Sequence, residues 1–192
     1  MDGKTRVCGL IANPVEHSMS PLMHNFYARR TGVNLAYVPF KVENEQVGDA
    51  VKGAFALNIL GMNVTVPHKQ RVMEFLTDID GDAKAIGAVN TLVRTEHGYK
   101  GYNTDAAGLT RALLGAGIHV GGERCILIGA GGAAKAAAYV LAKEGAASIY
   151  IMNRNLDRAQ ELAEYINRLV GRNLASALPL DGYESIPQEK GG

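Results

Sequence analysis

Short apolar runs and stretches with apolar residues at helical spacing follow one another along the chain. The runs predict strands at residues 6–12, 35–40, 62–66, 87–93, 99–102, 124–128 and 148–152. A hairpin turn is predicted at His97-Gly98, between the fourth and the fifth of these strands. The helical spacing predicts helices at residues 21–31, 45–57, 67–76, 105–115 and 136–144. Alternating strands and helices are typical of an α/β fold with a largely parallel sheet.

The composition is that of a globular protein without a strong charge bias. The chain has 192 residues, 47% of them hydrophobic, which is enough to build a packed core. Its 20 basic and 19 acidic residues are spread along the sequence and give a formal charge of +1, which argues against a nucleic-acid-binding or polybasic membrane surface. We therefore expect small neutral or anionic ligands, and neither nucleic acid nor a membrane as a partner.

Cysteine usage and the first residues of the chain predict a cytoplasmic protein. Cys8 and Cys125 each lie inside an apolar run, so we expect two buried thiols rather than a disulfide bond or a metal site. Residues 1–6 lack the apolar core of a signal peptide, and no apolar run reaches the length of a membrane span.

The stretch 61–69 combines a predicted strand with a cluster of polar side chains. Pro67 cannot donate a hydrogen bond to a sheet, so strand pairing should end at residue 66. In open α/β sheets ligands bind at the carboxyl ends of the strands, where Asn63, Thr65 and Lys69 would lie. Lys69 is either part of such a site or a surface lysine after a turn.

Other polar residues have one structural and one functional interpretation each. Ser20 is placed to cap a helix with Pro21 at its first position, whereas Ser18 lies in the preceding loop, where polar groups can face a ligand. Asn90 interrupts an apolar run, and its buried amide needs partners from the backbone or from a ligand. Asp105 is either a helix cap or the partner of a cation, for which Lys69 is the candidate. The acidic residues at 78, 80 and 82 are most simply a solvated face.

A glycine-rich turn connects the predicted strand 124–128 to a predicted helix. Its sequence matches the G-x-G-x-x-A dinucleotide fingerprint in the required strand-turn-helix setting, and another strand follows. The residues concerned are Gly129, Ala130, Gly131, Gly132, Ala133 and Ala134. After the next strand come Asn153, Arg154 and Arg158, where a site for NAD usually has an acidic residue. The arginines therefore favour a 2′-phosphate and hence NADP, against the alternative of a solvated helix start.

These motifs, taken in order, resemble those of shikimate dehydrogenase. The resemblance extends over nearly the whole chain and rests on six segments: 18–25, 63–69, 87–91, 103–108, 129–134 and 153–158. It implies an NADP-dependent oxidoreductase that reversibly reduces 3-dehydroshikimate to shikimate, in the pathway to chorismate and the aromatic amino acids. It further implies an α/β substrate domain, a Rossmann domain and an active site in the cleft between them.

The resemblance also implies a role for each candidate residue. Ser18 and Ser20 correspond to hydroxyls that hold the substrate carboxylate. Groups that bind the ring hydroxyls correspond to Asn63, Thr65, Asn90 and Asp105. Lys69 corresponds to the catalytic lysine, with Asp105 beside it. The turn 129–134 corresponds to the pyrophosphate site, and Asn153, Arg154 and Arg158 to the adenosine phosphate site, although Asn155 stands where the family usually has threonine.

The expected organisation has three parts. Residues 1–105 would form the substrate-binding catalytic domain, residues 106–120 a connecting helix, and residues 121–192 a partial Rossmann domain. The last segment has room for about one βαβ unit plus a helix, whereas a full Rossmann domain has about six strands. We expect a monomer or homodimer. A catalytically silent substrate-binding fragment and an NAD-using quinate/shikimate dehydrogenase are the alternatives.

Overall fold

The computed structural model describes residues 1–186 of the chain, and these residues form two compact units. The first unit is Met1–Thr104 and the second begins at Asp105.

The first unit contains six strands and three helices. Its strands are β1 (Arg6–Ala12), β2 (Leu35–Lys41), β3 (Gly61–Val64), β4 (Asp78–Ile79), β5 (Thr91–Arg94) and β6 (Tyr99–Tyr102). Its helices are α1 (Ser20–Thr31), α2 (Val47–Ala56) and α3 (Gly81–Ile86), together with 3₁₀ turns at Asn44–Gln46 and Arg71–Phe75.

One mixed sheet organises this unit. The strand order is β2-β1-β3-β5-β6-β4, with β1 parallel to both β2 and β3, and with β5 antiparallel to β3 and β6. The expectation of a largely parallel sheet is therefore correct only for β1–β3 and the short β4–β6 pair. The hairpin at His97-Gly98 makes β6 antiparallel to β5, because it returns the chain directly beside that strand.

The core of the first unit lies mainly between the sheet and α2. Val47, Val51 and Ala54 of the helix pack with Ile11, Val64, Leu92 and other buried residues of the strands. A smaller cluster on Leu10, Ala12 and Tyr37 fills the sheet face towards α1. The helix predicted at 67–76 is wrong: a turn and the 3₁₀ helix Arg71–Phe75 take its place.

The acidic residues near position 80 have structural roles that were not predicted from the sequence. Asp80 is the N-cap of α3, and its carboxylate accepts a 3.0 Å hydrogen bond from the Asp82 backbone N–H. Asp78 forms a 2.8 Å ion pair with Lys100, and this contact lowers the pKa of Asp78. Asp78 and Asp82 are exposed, as expected for a solvated face, whereas Asp80 is half-buried and caps the helix.

The second unit is a βαβαβ unit. It contains α4 (Thr104–Gly115, whose first residue belongs to the first unit), β7 (Arg124–Ile128), α5 (Gly132–Lys143), β8 (Ser148–Asn153), α6 (Leu156–Val170) and β9 (Ala175–Pro179). The strands are parallel in the order β7-β8-β9. This is one strand more than expected, since β9 was not predicted. Ile149, Ile151, Leu162 and Ile166 lie at the centre of its core.

The two cysteines are free thiols, each half-buried within its own unit, and burial raises the pKa of both. Within residues 1–186 no helix is long and apolar enough to cross a membrane. The same residues contain no cluster of three or more His, Cys, Asp or Glu side chains suited to a metal ion.

Candidate active site

The carboxyl ends of β1 and β3 carry the first group of candidate residues. β3 stops at Val64, two residues earlier than predicted, but the Thr65 N–H still donates to the Ile11 carbonyl and the Asn13 N–H to the Val66 carbonyl. Asn63 and Thr65 are two positions apart on this extended segment and are both half-buried. Side chains two positions apart along a strand project from the same face.

Lys69 is placed by hydrogen bonds of its neighbours and of its own backbone. His68 is fully buried, and its Nε2 lies 2.8 Å from the Val42 carbonyl at the end of β2. A carbonyl can only accept, so this nitrogen carries the ring proton. The Lys69 carbonyl in turn accepts a 2.8 Å hydrogen bond from the Val89 N–H. Lys69 is thereby fixed beside the segment that contains Asn90.

Asn90 lies immediately before β5 and is 8% exposed. Its carbonyl accepts from the Val64 N–H at 2.9 Å, which places it beside the end of β3. Its side-chain Oδ1 accepts from the Thr104 N–H at 3.0 Å and from the Thr91 hydroxyl at 2.9 Å. The backbone and neighbouring side chains thus satisfy much of the amide, which indicates a structural role, and the binding role of Asn90 stays a prediction.

The two serines differ from their predicted local roles. Ser20 begins α1 but makes no capping hydrogen bond with its side chain. The Ser18 hydroxyl oxygen instead accepts a hydrogen bond of 3.3 Å from the Ser20 N–H. Ser18, and not Ser20, therefore satisfies a backbone N–H at the start of the helix. The prediction of Ser20 as the cap is wrong because α1 begins at that residue rather than after it. Both serines are half-buried at the loop that follows β1.

Asp105 lies in the first turn of α4, where its negative charge is favourable. The helix begins one residue earlier, at Thr104, so Asp105 does not open it as predicted. The pairing of Asp105 with Lys69 stays a prediction.

The glycine-rich turn joins β7 to α5 as predicted, and its geometry suits a pyrophosphate. Gly129 has φ +112°, a conformation that favours glycine, and its N–H donates to the Met152 carbonyl at 2.8 Å. Gly131 is the N-cap of α5, and no side chain caps the helix there. A Cβ added at Gly131 would meet no atom within 4 Å. The turn therefore leaves space and helix N–H groups for an anionic ligand.

The remaining cofactor candidates follow β8, at the same edge of the parallel sheet as the glycine turn. Asn153 is the last residue of β8, and its side-chain amide donates to the Asn155 carbonyl at 2.8 Å. The Asn155 side chain accepts from the Arg158 N–H and so caps α6. Arg154 and Arg158 are exposed, and neither forms an ion pair with another residue of the described part, 1–186. Two exposed arginines at a helix start, neither of them in an ion pair within the described residues, fit a phosphate.

Several residues of the first unit join the site without having been predicted. The Tyr37 hydroxyl donates to Asn63 Oδ1 at 2.7 Å, and Asn25 on α1 holds the Tyr37 backbone. His68 fixes the turn before Lys69. Asn25 and His68 could have been found from the sequence, because they are polar residues inside the motif segments. Tyr37 could not, because a tyrosine in a predicted strand has nothing to distinguish it from other strand residues.

Comparison with known proteins connects both units with one family. The family model described as the shikimate dehydrogenase substrate binding domain matches residues 10–92. The model described as shikimate / quinate 5-dehydrogenase matches residues 112–182. A curated shikimate dehydrogenase (NADP(+)) from Desulforamulus reducens is 52% identical over 167 residues, which are 86% of this chain and 57% of that protein.

Solved structures give the same result. A crystal structure of shikimate dehydrogenase in complex with NADP+ matches with a TM-score of 0.85 and 42% identity, over 95% of this chain and 65% of that one. Shikimate 5-dehydrogenase from Listeria monocytogenes, solved with shikimate and NAD, matches with a TM-score of 0.86 and 34% identity, over 96% and 65% of the two chains.

Fold and site together define the class. It is an α/β protein with a mixed-sheet unit that gathers polar side chains at its strand ends, followed by a Rossmann-like unit with a glycine-rich turn. The chain belongs to the shikimate dehydrogenase family. It spans less than two thirds of the length of the relatives just described.

Proposed function

We propose that this protein acts as an NADP-dependent shikimate dehydrogenase, which reversibly reduces 3-dehydroshikimate to shikimate in aromatic amino acid biosynthesis. One observation carries the proposal: the Val89–Lys69 backbone hydrogen bond and the Asn90–Val64 backbone hydrogen bond bring a lysine and two amide side chains to the end of β3. A cation and neutral hydrogen-bonding groups are what a polyhydroxylated ketone requires.

In this proposal the first unit recognises the substrate. Ser18, in the loop before α1, and Ser20, the first residue of α1, hold its carboxylate. The ring hydroxyls are bound by Asn63, Thr65 and Asn90. Half-burial of Ser18, Ser20, Asn63 and Thr65 supports the assignment, because their polar groups remain accessible; Asn90 is only 8% exposed.

Lys69 supplies the proton in the direction of reduction. When bound, NADPH supplies the hydride to the carbonyl carbon, and negative charge then develops on the substrate oxygen. The Lys69 ammonium donates its proton to that oxygen, and in the reverse reaction the neutral amine removes it. The Asp105 carboxylate is assigned to hold the ammonium, on the basis of the family resemblance.

The second unit binds the cofactor. The N–H groups of the turn 129–134 and the start of α5 hold the pyrophosphate, and Asn153 orders the loop after β8 through its bond to Asn155. Arg154 and Arg158 hold the 2′-phosphate. The absence of a side-chain cap on α5 and the open space at Gly131 support this assignment.

We extend the proposal to the setting of the protein. Residues 1–105 form the substrate domain, α4 makes up most of the predicted connection 106–120, and the residues from 121 onward hold the cofactor. Two free thiols suit the reducing cytoplasm. The expected assembly is a monomer or homodimer, and the expected partners are small molecules.

The test is a matrix of reactions with the purified chain. Shikimate or quinate is mixed with NADP+ or NAD+, and the absorbance of reduced nicotinamide is followed. We expect the highest kcat/KM for shikimate with NADP+. A higher value for quinate with NAD+ would reassign the protein to the neighbouring dehydrogenase.

Calorimetric titration of shikimate separates binding from turnover. Saturable shikimate binding without turnover would support a substrate-binding protein and contradict the catalytic part of the proposal. Absence of shikimate binding by the folded chain would contradict the proposal as a whole.

A further inference from the structure

The side-chain amides of Asn63 and Asn90 belong to one hydrogen-bond network. Backbone groups that can only donate or only accept determine how the two amides are oriented in it. The Thr104 backbone N–H can only donate, and it lies 3.0 Å from Asn90 Oδ1. The Thr91 hydroxyl donates to the same oxygen at 2.9 Å. The carbonyl end of the Asn90 side chain is therefore defined, and the Thr91 oxygen is left as an acceptor.

The orientation of Asn63 follows from the same reasoning. Its Nδ2 lies 3.5 Å from the Thr91 hydroxyl oxygen and 3.5 Å from the Asn90 backbone carbonyl, which can only accept. The Asn63 Oδ1 consequently faces the other way, 2.7 Å from the Tyr37 hydroxyl. Because that oxygen is an acceptor, the tyrosine must be the donor. This is the shortest contact that the Asn63 side chain makes.

Helix α1 determines where the Tyr37 hydroxyl lies. The Asn25 amide donates to the Tyr37 carbonyl at 2.8 Å and accepts from the Tyr37 N–H at 2.9 Å, so it holds both backbone groups of one residue. The His24 ring stacks on the Tyr37 ring with centroids 4.3 Å apart and planes 17° apart. Burial raises the pKa of Tyr37 to about 12, so the hydroxyl keeps its proton at neutral pH.

Without the Tyr37 hydroxyl, the surroundings of Asn63 would leave its side-chain amide free to rotate. A cavity of about 220 Å³ lies against Tyr37, Asn63 and Thr91 on this face of the sheet. The two contacts of Nδ2 are at the 3.5 Å limit of a hydrogen bond, so they restrain it weakly. The strong restraint is the Tyr37 hydroxyl.

We propose that Tyr37 is a positioning residue that fixes the Asn63 amide with its N–H₂ group available to an oxygen of the substrate, and that Asn25 fixes Tyr37 in turn. The inference rests on the proposed function, because it adds to the shikimate site. Since α1 begins at Ser20 and contains Asn25, one helix then carries a group assigned to the substrate carboxylate and orients a group assigned to its ring hydroxyls.

The experiment compares Tyr37→Phe with wild type by titration of shikimate. The phenylalanine ring keeps the stacking on His24 and removes only the hydroxyl. We expect the dissociation constant of shikimate to rise about 3- to 10-fold, the effect of one neutral hydrogen bond. The matched control is Tyr99→Phe, which removes the hydroxyl that donates to the Ile59 carbonyl in the core of the same unit. It should leave shikimate affinity unchanged.

A double-mutant cycle tests whether Tyr37 acts through Asn63. In an Asn63→Ala background, Tyr37→Phe should change shikimate affinity less than about 2-fold, because the group it positions is gone. An equal loss in both backgrounds would overturn the inference, as would unchanged affinity of the single variant.

A readout without substrate separates this inference from the proposed function. In the unliganded protein, the side-chain N–H₂ signals of Asn63 should broaden or exchange faster in Tyr37→Phe than in wild type or Tyr99→Phe. Identical signals would overturn the positioning role. If wild type fails to bind shikimate while the Asn63 signals respond as expected, the proposed function is contradicted and the positioning of Asn63 by Tyr37 is supported.

Discussion

The imidazole Nε2 of His68 donates a 2.8 Å hydrogen bond to the carbonyl of Val42. The ring is completely buried, next to the residue assigned as the proton donor. The bond connects the turn after β3 to the end of β2. The position of Lys69 therefore depends on His68, which has no catalytic role of its own in the proposed mechanism.

Replacement of His68 by Ala should be destabilising. It leaves a cavity and an unsatisfied buried carbonyl, which together cost about 2–4 kcal/mol in the free energy of unfolding. Denaturant unfolding measures this. The control is His97→Ala, whose side chain is 82% exposed and which should stay within about 0.5 kcal/mol of wild type. Equal stability of His68→Ala and wild type would contradict the described packing.

Stability at high pH should depend on Tyr37. Its pKa is raised from 10.0 to about 12 by burial, so the folded state retains a proton that the unfolded state releases. The stabilising effect is complete below about pH 10 and is lost as the pH rises towards about 12. Tyr37→Phe should therefore lose less stability than wild type over this range.

Thermal unfolding as a function of pH measures the difference. Tyr183→Phe, which removes a hydroxyl from a tyrosine that is 63% exposed, is the control and should follow wild type. Parallel curves for Tyr37→Phe and wild type would show that Tyr37 titrates alike in both states.

Cofactor choice should depend on Arg154. A charge-assisted contact with phosphate contributes about 1.5–3 kcal/mol, so Arg154→Ala should weaken NADP binding about 10- to 100-fold and NAD binding less than about 2-fold. Titration of both cofactors measures the ratio. Arg168→Ala, an exposed arginine in the last turn of α6, is the matched control. An equal loss of NADP and NAD affinity would assign Arg154 to the fold instead of the phosphate.

The sequence predicts regular elements well where local pattern and tertiary structure agree. β1, β6 and β7 have their predicted bounds, because apolar runs between turn residues specify them. The helix expected at 67–76 does not form, since the Lys69 carbonyl accepts from Val89 and is not used by a helical N–H. Here a long-range hydrogen bond outweighs the helical spacing of apolar residues. Such a bond cannot be seen in a short window of sequence.

The site shows the same division. Residues inside motifs, such as Asn63 and Lys69, were found through polar groups at a strand end and through the family resemblance. Tyr37 was not found, because its hydroxyl meets Asn63 only after two parallel strands are placed on either side of β1. The pairing depends on register, and register is a property of the assembled sheet.

The most direct test of the account is the rate at which Lys69→Ala forms reduced nicotinamide from shikimate and NADP+, compared with wild type. The backbone bond from Val89 to residue 69 does not need the side chain, so the variant should fold normally, as circular dichroism and thermal unfolding can confirm. Loss of the general acid should lower turnover by about 10²–10⁴-fold, with shikimate binding weakened far less. Turnover equal to that of wild type would contradict the role of Lys69 and with it the proposed mechanism.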